Sequence, residues 1–211
     1  MEVFRLVFSP IPVNTYILAE ETGECAIIDC GCYDSGEFKI LTDFLTKKNL
    51  KPVMLLNTHC HLDHIFGNNF MLASYKLRAY SHILEEYNRK NSVNHSAIFG
   101  LEMEYPPEQE GFIEDMQKIS FGNTTLTALH VPGHSPGGLA FYSEKDRCVF
   151  TGDTLFAGTI GRTDLPGGNH ESIMQSIKTQ LFTLPGSTIV YPGHGEKTDI
   201  KTEMTYNPYF S

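Results

Sequence analysis

Positive charge is scarce in this chain: 16 lysines and arginines stand against 25 aspartates and glutamates, for a formal net charge of −9 over 211 residues. That balance excludes generic binding to nucleic acid or to an anionic membrane surface, both of which need clustered Lys and Arg. Long apolar runs are missing too. None approaches the roughly 20 residues of a membrane span. The opening segment does not read as a signal peptide, because Glu2 follows the initiator and Pro10 and Pro12 break a short apolar run. Paired cysteines are absent: the five, at positions 25, 30, 32, 60 and 148, give an odd count and no CxxC. This excludes a disulfide framework and a zinc knuckle and leaves small buried fillers as their reading. There is no tandem repeat, low-complexity tract or Ser/Gly linker. The expectation is a cytoplasmic protein with one domain over residues 1–211, whose 41% hydrophobic content supports a sizeable core.

What is there has the rhythm of alternating strands and helices. Val3–Phe8, Thr15–Glu20 and Cys25–Asp29 are short β-branched or aromatic runs separated by Pro, Asn or Gly, the pattern of strands. Phe38, Leu41, Phe44 and Leu45 recur at spacings of three and four and predict a helix over Asp34–Lys48. Pro52–Leu56 reads as a buried strand, followed by a helix from about Ile65 to Tyr75. Strands return at Thr125–His130, Leu139–Ser143 and Arg147–Thr151, then a helix over Asn169–Leu184 and a strand at Ile189–Tyr191. The segment 82–117, with Pro106-Pro107 and several glutamates, predicts only a helix and a long surface loop. The sum is an α/β layered domain.

Histidine is concentrated. Of nine in the chain, three fall with an aspartate in His59-Cys60-His61-Leu62-Asp63-His64, at the end of the Pro52–Leu56 strand. Residues two apart in extended backbone point the same way, so His59 and His61 can share one metal ion, while Cys60 points away and packs. Asp63 lies where the chain turns into a helix, which lets His64 reach a neighbouring point. Asp63 as a helix N-cap and a lone histidine as ordinary surface are the bland readings of single members. For the set of four, imidazole and carboxylate together point to a borderline divalent metal. Three further sites place a histidine or aspartate beside glycine at the carboxyl end of a strand: Gly133-His134-Ser135, Gly152-Asp153-Thr154 and Pro192-Gly193-His194-Gly195. Each alone reads equally well as a turn.

Together these four motifs resemble those of the metallo-β-lactamase superfamily, and within it the short single-domain glyoxalase II-like (hydroxyacylglutathione hydrolase-like) metallohydrolases. The resemblance runs from the Asn14/Asp29 region to Asn207-Pro208. It implies a four-layer αββα sandwich with a two-metal site at one edge. By position it implies that His59, His61 and His134 hold one metal, that Asp63, His64 and His194 hold the second, and that Asp153 bridges both. Asp29 is implied as a supporting residue behind the ligands. The metals implied are two divalent ions, zinc first and iron or manganese as alternatives, with Asp63 and Asp153 as the catalytic carboxylates. Two departures stand out. Gly138 replaces a second histidine found in many relatives, and the C-terminal helical domain by which full-length glyoxalase II binds glutathione is not expected here. Gly161-Arg162-Thr163-Asp164 is shared with short glyoxalase II-like proteins and with persulfide dioxygenases; Arg162 is expected either to hold a substrate carboxylate or to pair with Asp164.

The reaction implied is attack of a metal-bridging hydroxide on a carbonyl. A small-molecule acyl thioester such as S-lactoylglutathione is the expected substrate, since a thiolate leaves without a strong general acid and no spare acid is evident beside the motifs. The alternative is a mononuclear-iron persulfide dioxygenase using His59, His134 and Asp153. A serine hydrolase is formally suggested by Gly133-His134-Ser135-Pro136-Gly137, but that elbow needs a following helix and a backbone N–H that Pro136 lacks. A metal-stabilised binding protein without catalysis is disfavoured by the full set of seven ligands. Lactam substrates are disfavoured by the missing secretion signal.

Overall fold

A computed structural model describes residues 1–210. Two mixed six-stranded sheets organise it. The first contains β1 (Glu2–Phe8), β2 (Val13–Ala19), β3 (Glu24–Ile28), β4 (Lys51–Leu56), β5 (Ala79–Ser81) and β6 (Gly111–Phe112), side by side in chain order. The second contains β7 (Lys118–Phe121), β8 (Thr124–His130), β9 (Leu139–Ser143), β10 (Cys148–Gly152), β13 (Ile189–Pro192) and β14 (Thr198–Asp199), in the order β14-β13-β10-β9-β8-β7. A separate hairpin, β11 (Leu155–Phe156) and β12 (Thr159–Ile160), closes the loop after β10. The helices are α1 (Ser35–Lys47), α2 (Leu62–Ile65), α3 (Asn68–Tyr75), α4 (Glu86–Ile98), α5 (His170–Ser176) and α6 (Ile200–Tyr206).

The period of two along β2 and β3 explains the layering. Tyr16, Leu18, Ala26 and Ile28 face the second sheet and pack with Leu126, Ala128, Phe141 and Phe150. Their alternates Ile17, Cys25 and Ile27 face outward and bury Leu41 and Leu45 of α1 and Met71 of α3. On the far side, Leu129, Val149 and Val190 pack against Ile173, Ile177 and Ile200. Three separate apolar cores thus separate four layers, and the expected αββα sandwich is what forms. No helix among the described residues is long and apolar enough to cross a membrane.

Two expected helices differ from the structure. The helix anticipated over Ile65–Tyr75 is split, with α2 ending at Ile65 and α3 beginning at Asn68. The break lies at Gly67, whose N–H donates to the Cys30 carbonyl at 2.8 Å, and a Cβ there would sit 2.4 Å from Cys30 Sγ. The helix anticipated over Asn169–Leu184 is α-helical only through Ser176 and then widens into a π turn over Ile177–Leu181. Segment 82–117 resolves into a 3₁₀ turn at Ile83–Glu85, α4, a strap and the short β6. The first hairpin, β1–β2, is stitched to the loop after β13: Asn14 N–H donates to the Gly193 carbonyl at 2.7 Å and Tyr16 Oη to the Pro192 carbonyl at 2.7 Å.

Candidate metal centre

The four motifs, far apart in sequence, converge where β4, β8, β10 and β13 end. His59 and His61 meet edge to face with ring centroids 4.7 Å apart, and His134 lies 4.8 Å from His59. His61 Nδ1 is 2.8 Å from His134 Nε2. On the other side His194 Nε2 is 3.1 Å from Asp63 Oδ2, and His64 Nε2 is 3.6 Å from the same oxygen. Asp153 lies between the groups: Oδ2 is 3.6 Å from His134 Nε2 and 3.4 Å from His194 Nε2, and Oδ1 is 3.4 Å from His64 Nε2. The structure thus brings all seven expected residues together. His59, His61 and His134 form one set with ligand atoms within 4.8 Å of one another; Asp63, His64 and His194 form another; His59, His64 and Asp153 form a third that joins them.

The outer nitrogens of four rings are anchored, which turns Nε2 inward. His59 Nδ1 meets Thr58 Oγ1 at 3.1 Å, and His64 Nδ1 meets Asp29 Oδ2 at 2.9 Å. His134 Nδ1 meets the Arg162 carbonyl at 2.8 Å, and His194 Nδ1 meets the Pro12 carbonyl at 2.5 Å. His61 instead turns Nδ1 toward the centre. Asp29 therefore lies behind the His64 ring, on the side away from the cluster. It also accepts from Thr58 N–H at 2.8 Å and Thr58 Oγ1 at 2.6 Å. Its backbone has φ +54°, a left-handed conformation that Asp tolerates better than most side chains. Gly193 permits a close approach, since a Cβ there would lie 2.2 Å from Asp153 Oδ1.

A divalent metal pair fits these residues. His59 Nε2, His64 Nε2 and Asp153 Oδ1 are buried with no hydrogen-bond partner, a costly arrangement unless something else satisfies them. Mixed imidazole and carboxylate donors suit zinc, iron or manganese. Cys60 stays out of the set. Its Sγ lies 3.4 Å from Gln109 Nε2, and burial, then the Glu85 carboxylate, hold its thiol well above the ordinary range.

The two halves differ electrostatically. Burial, then the neighbouring rings of His64, His61 and His134, hold His59 well below the ordinary imidazole range. Burial and His134 push His61 down to about 3. On the carboxylate side burial again lowers the rings, but Asp153 and Asp63 outweigh it and raise His194 to about 10, and Asp63, Asp153 and Asp29 raise His64. Protons therefore compete for the Asp63/His64/His194 set, while His59 and His61 offer neutral lone pairs down to low pH. If two divalent ions bind here, stepwise dialysis from about pH 10, where His194 begins to take up its proton, toward about pH 3, where His61 does, is expected to empty the carboxylate side first, leaving about one equivalent per chain before the last is lost. Simultaneous loss, read by elemental analysis, would contradict this assignment.

Arg162 takes the second of its two expected positions. Its guanidinium makes a bidentate pair with Asp164, Nε–Oδ1 and Nη2–Oδ2 both at 2.8 Å, and both side chains are exposed. Only its backbone carbonyl reaches the cluster, through His134.

Two functional residues escaped the motifs. Glu85 is fully buried, and its carboxylate accepts from Cys60 N–H at 2.8 Å, Asn88 Nδ2 at 2.9 Å and Gly137 N–H at 2.7 Å. It ties the loop carrying His59 and His61 to the loop carrying His134. Nothing in its local sequence marks it, because it works on backbone N–H groups. Glu85→Gln leaves one donor facing an amide NH2, at a cost of about 1–3 kcal/mol. The expected result is a lower unfolding midpoint together with weaker metal retention; wild-type values of both would remove the clamp. The other is His95 of α4. It lines the cavity over the cluster, and its ring makes no hydrogen bond among the described residues.

An αββα sandwich with a paired histidine–aspartate cluster at its strand ends defines a class of divalent-metal hydrolases. The chain belongs to the metallo-beta-lactamase superfamily, whose sequence model matches residues 9–194. It is 37% identical over 213 residues to the probable metallo-hydrolase YqgX of Bacillus subtilis, covering 98% of this chain and 96% of that one. It is 30% identical over 205 residues to the hydroxyacylglutathione hydrolase GloC of Haemophilus influenzae, covering 94% and 92%. Among solved structures, the BLEG-1 B3 metallo-beta-lactamase superposes with a TM-score of 0.92 at 32% identity over 100% of both chains. TTHA1623 in a di-iron-bound form superposes with a TM-score of 0.88 at 35% identity, over 98% of this chain and 99% of that one.

Proposed function

We propose that the protein is a binuclear metallohydrolase of acyl thioesters. The observation that carries the binuclear part is the second complete set, Asp63, His64 and His194, beside the first, with Asp153 reaching both. Two divalent ions held by these residues would supply a water of pKa about 7 as nucleophile and Lewis-acid polarisation of a carbonyl. The chain's own residues do the rest. His59, His61 and His134 contribute neutral donors, Asp63 and Asp153 contribute the two negative charges, and Asp29 and the Pro12 and Arg162 carbonyls hold the rings in one tautomer. The thioester follows from the leaving group. A thiol of pKa near 8.5 departs as thiolate with little help, and only one uncommitted titratable group, His95, lines the cavity. The likeness to a hydroxyacylglutathione hydrolase supports the same reading.

The test is elemental analysis of the purified protein followed by parallel assays on S-lactoylglutathione, a chromogenic lactam and glutathione persulfide. The expected result is about two metal ions per chain and thiol release from the thioester. One iron per chain with oxygen uptake on the persulfide would replace this reading by the dioxygenase, and turnover of the lactam alone by a lactamase. Ser135 lies between two strands, buried, with no partner for its Oγ and followed by Pro136. Ser135→Ala is expected to keep hydrolysis within about threefold of wild type; complete loss would revive a serine nucleophile.

A further inference from the structure

The cavity over the cluster encloses about 580 Å³ and has one unusual wall. Along α4, His95, Ile98 and Phe99 stand at i, i+3 and i+4, on one helical face, and all three line the cavity. Ile98 is 80% exposed and Phe99 53% exposed, although both are large apolar side chains. Ile11, Leu62, Phe156 and Leu165 also line it. These side chains come from separate parts of the chain, and they meet only around the mouth of the metal cluster. Apolar surface gathered at a concave opening beside polar groups marks a ligand site.

Charge points the same way. Apart from the cluster itself, the cavity's charged lining consists of Arg162, and its guanidinium is already engaged by Asp164. A glutathione conjugate brings two carboxylates, and the lining offers them no uncommitted cation. A hydrocarbon group finds seven apolar side chains, Pro166 with the six already named.

We infer that the substrate's acyl group is a hydrocarbon chain or ring, seated against Ile98 and Phe99 of α4 together with Ile11, Leu62, Phe156 and Leu165, on a carrier of low negative charge. This rests on the thioester reading for the reaction and goes beyond it in naming what the cavity selects. Each methylene removed from water on this wall contributes to transition-state binding and to product binding alike.

The experiment uses the metal-loaded protein and S-acyl-N-acetylcysteamine thioesters from acetyl to octanoyl. The expected kcat/KM rises about three- to fourfold per methylene until the cavity is filled. The same steps are expected in the affinity of the matching straight-chain carboxylates, measured by calorimetry. Ile98→Asp, at a position exposed enough to leave folding intact, is expected to flatten both series, and Phe99→Ala to shorten the range over which they climb. A flat carboxylate series, or a preference for S-lactoylglutathione over S-octanoyl-N-acetylcysteamine, overturns the inference. A rising carboxylate series without thioester turnover upholds the apolar site and sinks the thioesterase reading instead, so the two failures are distinguishable.

Discussion

Asp153→Asn is expected to abolish most hydrolysis, lowering kcat/KM by about 10³-fold or more, and to reduce the metal content below two ions per chain. The carboxylate is the one group within 3.6 Å of ring nitrogens from both halves of the centre. Burial opposes its ionised form, but His64 and His194 outweigh that and hold its pKa well below the ordinary carboxylate range. Asparagine keeps the size and one acceptor and removes the charge. The two halves then lose their shared anion, and His64 and His194 face a neutral amide. Elemental analysis with steady-state kinetics checks this. A variant that retains two ions and at least a tenth of wild-type activity would show that Asp153 is not shared between them.

Asp29→Asn is expected to weaken metal affinity by about 10- to 100-fold while the fold persists. Asparagine tolerates the φ of +54° at this position, so backbone strain does not confuse the comparison. What changes is the acceptor set. The carboxylate receives Thr58 N–H on one oxygen and both Thr58 Oγ1 and His64 Nδ1 on the other. An amide can keep one of these arrangements and must present N–H donors to the second. His64 loses the anion that fixes its tautomer, and Thr58 loses the contact through which it orients His59. Competition with a chromophoric chelator measures the loss. Unchanged affinity would mean that the two rings are positioned without Asp29.

The clustered histidines and aspartates were legible in the sequence because each stands beside a glycine or a turn at the end of an apolar strand, in residue types with little other reason to cluster. The strands were legible from the short β-branched and aromatic runs in β2, β3 and β8, while the αββα arrangement was legible only through the resemblance that the motifs carry. Where reading stopped, the cause was physical. The α2–α3 break depends on the approach of Gly67 to Cys30, a contact 37 residues away in the chain. The widening of the second-half helix at Ile177 leaves no mark in its apolar spacing. The α4 segment has a low apolar contrast, Glu86-Tyr87-Asn88-Arg89-Lys90-Asn91-Ser92, because its first turns bind through Glu85, Asn88 and Arg89 and its last turn lines a cavity. Glu85 and His95 were invisible for the same reason: their roles come from what the fold sets opposite them.

The stitching of the first hairpin to the loop after β13 carries a consequence for how the molecule comes into being. Pro12, Asn14 and Tyr16 grip Pro192, Gly193 and His194 across sequence separations of 176 to 182 residues. During synthesis the hairpin emerges early, and its partner is the last of the ligand loops to leave the ribosome. The set His59, His61 and His134 can gather while the chain is still growing, whereas the set containing His194 must wait for a contact of very high order. On the two-ion proposal, topology therefore orders metal loading in time, with the His59/His61/His134 side assembled first.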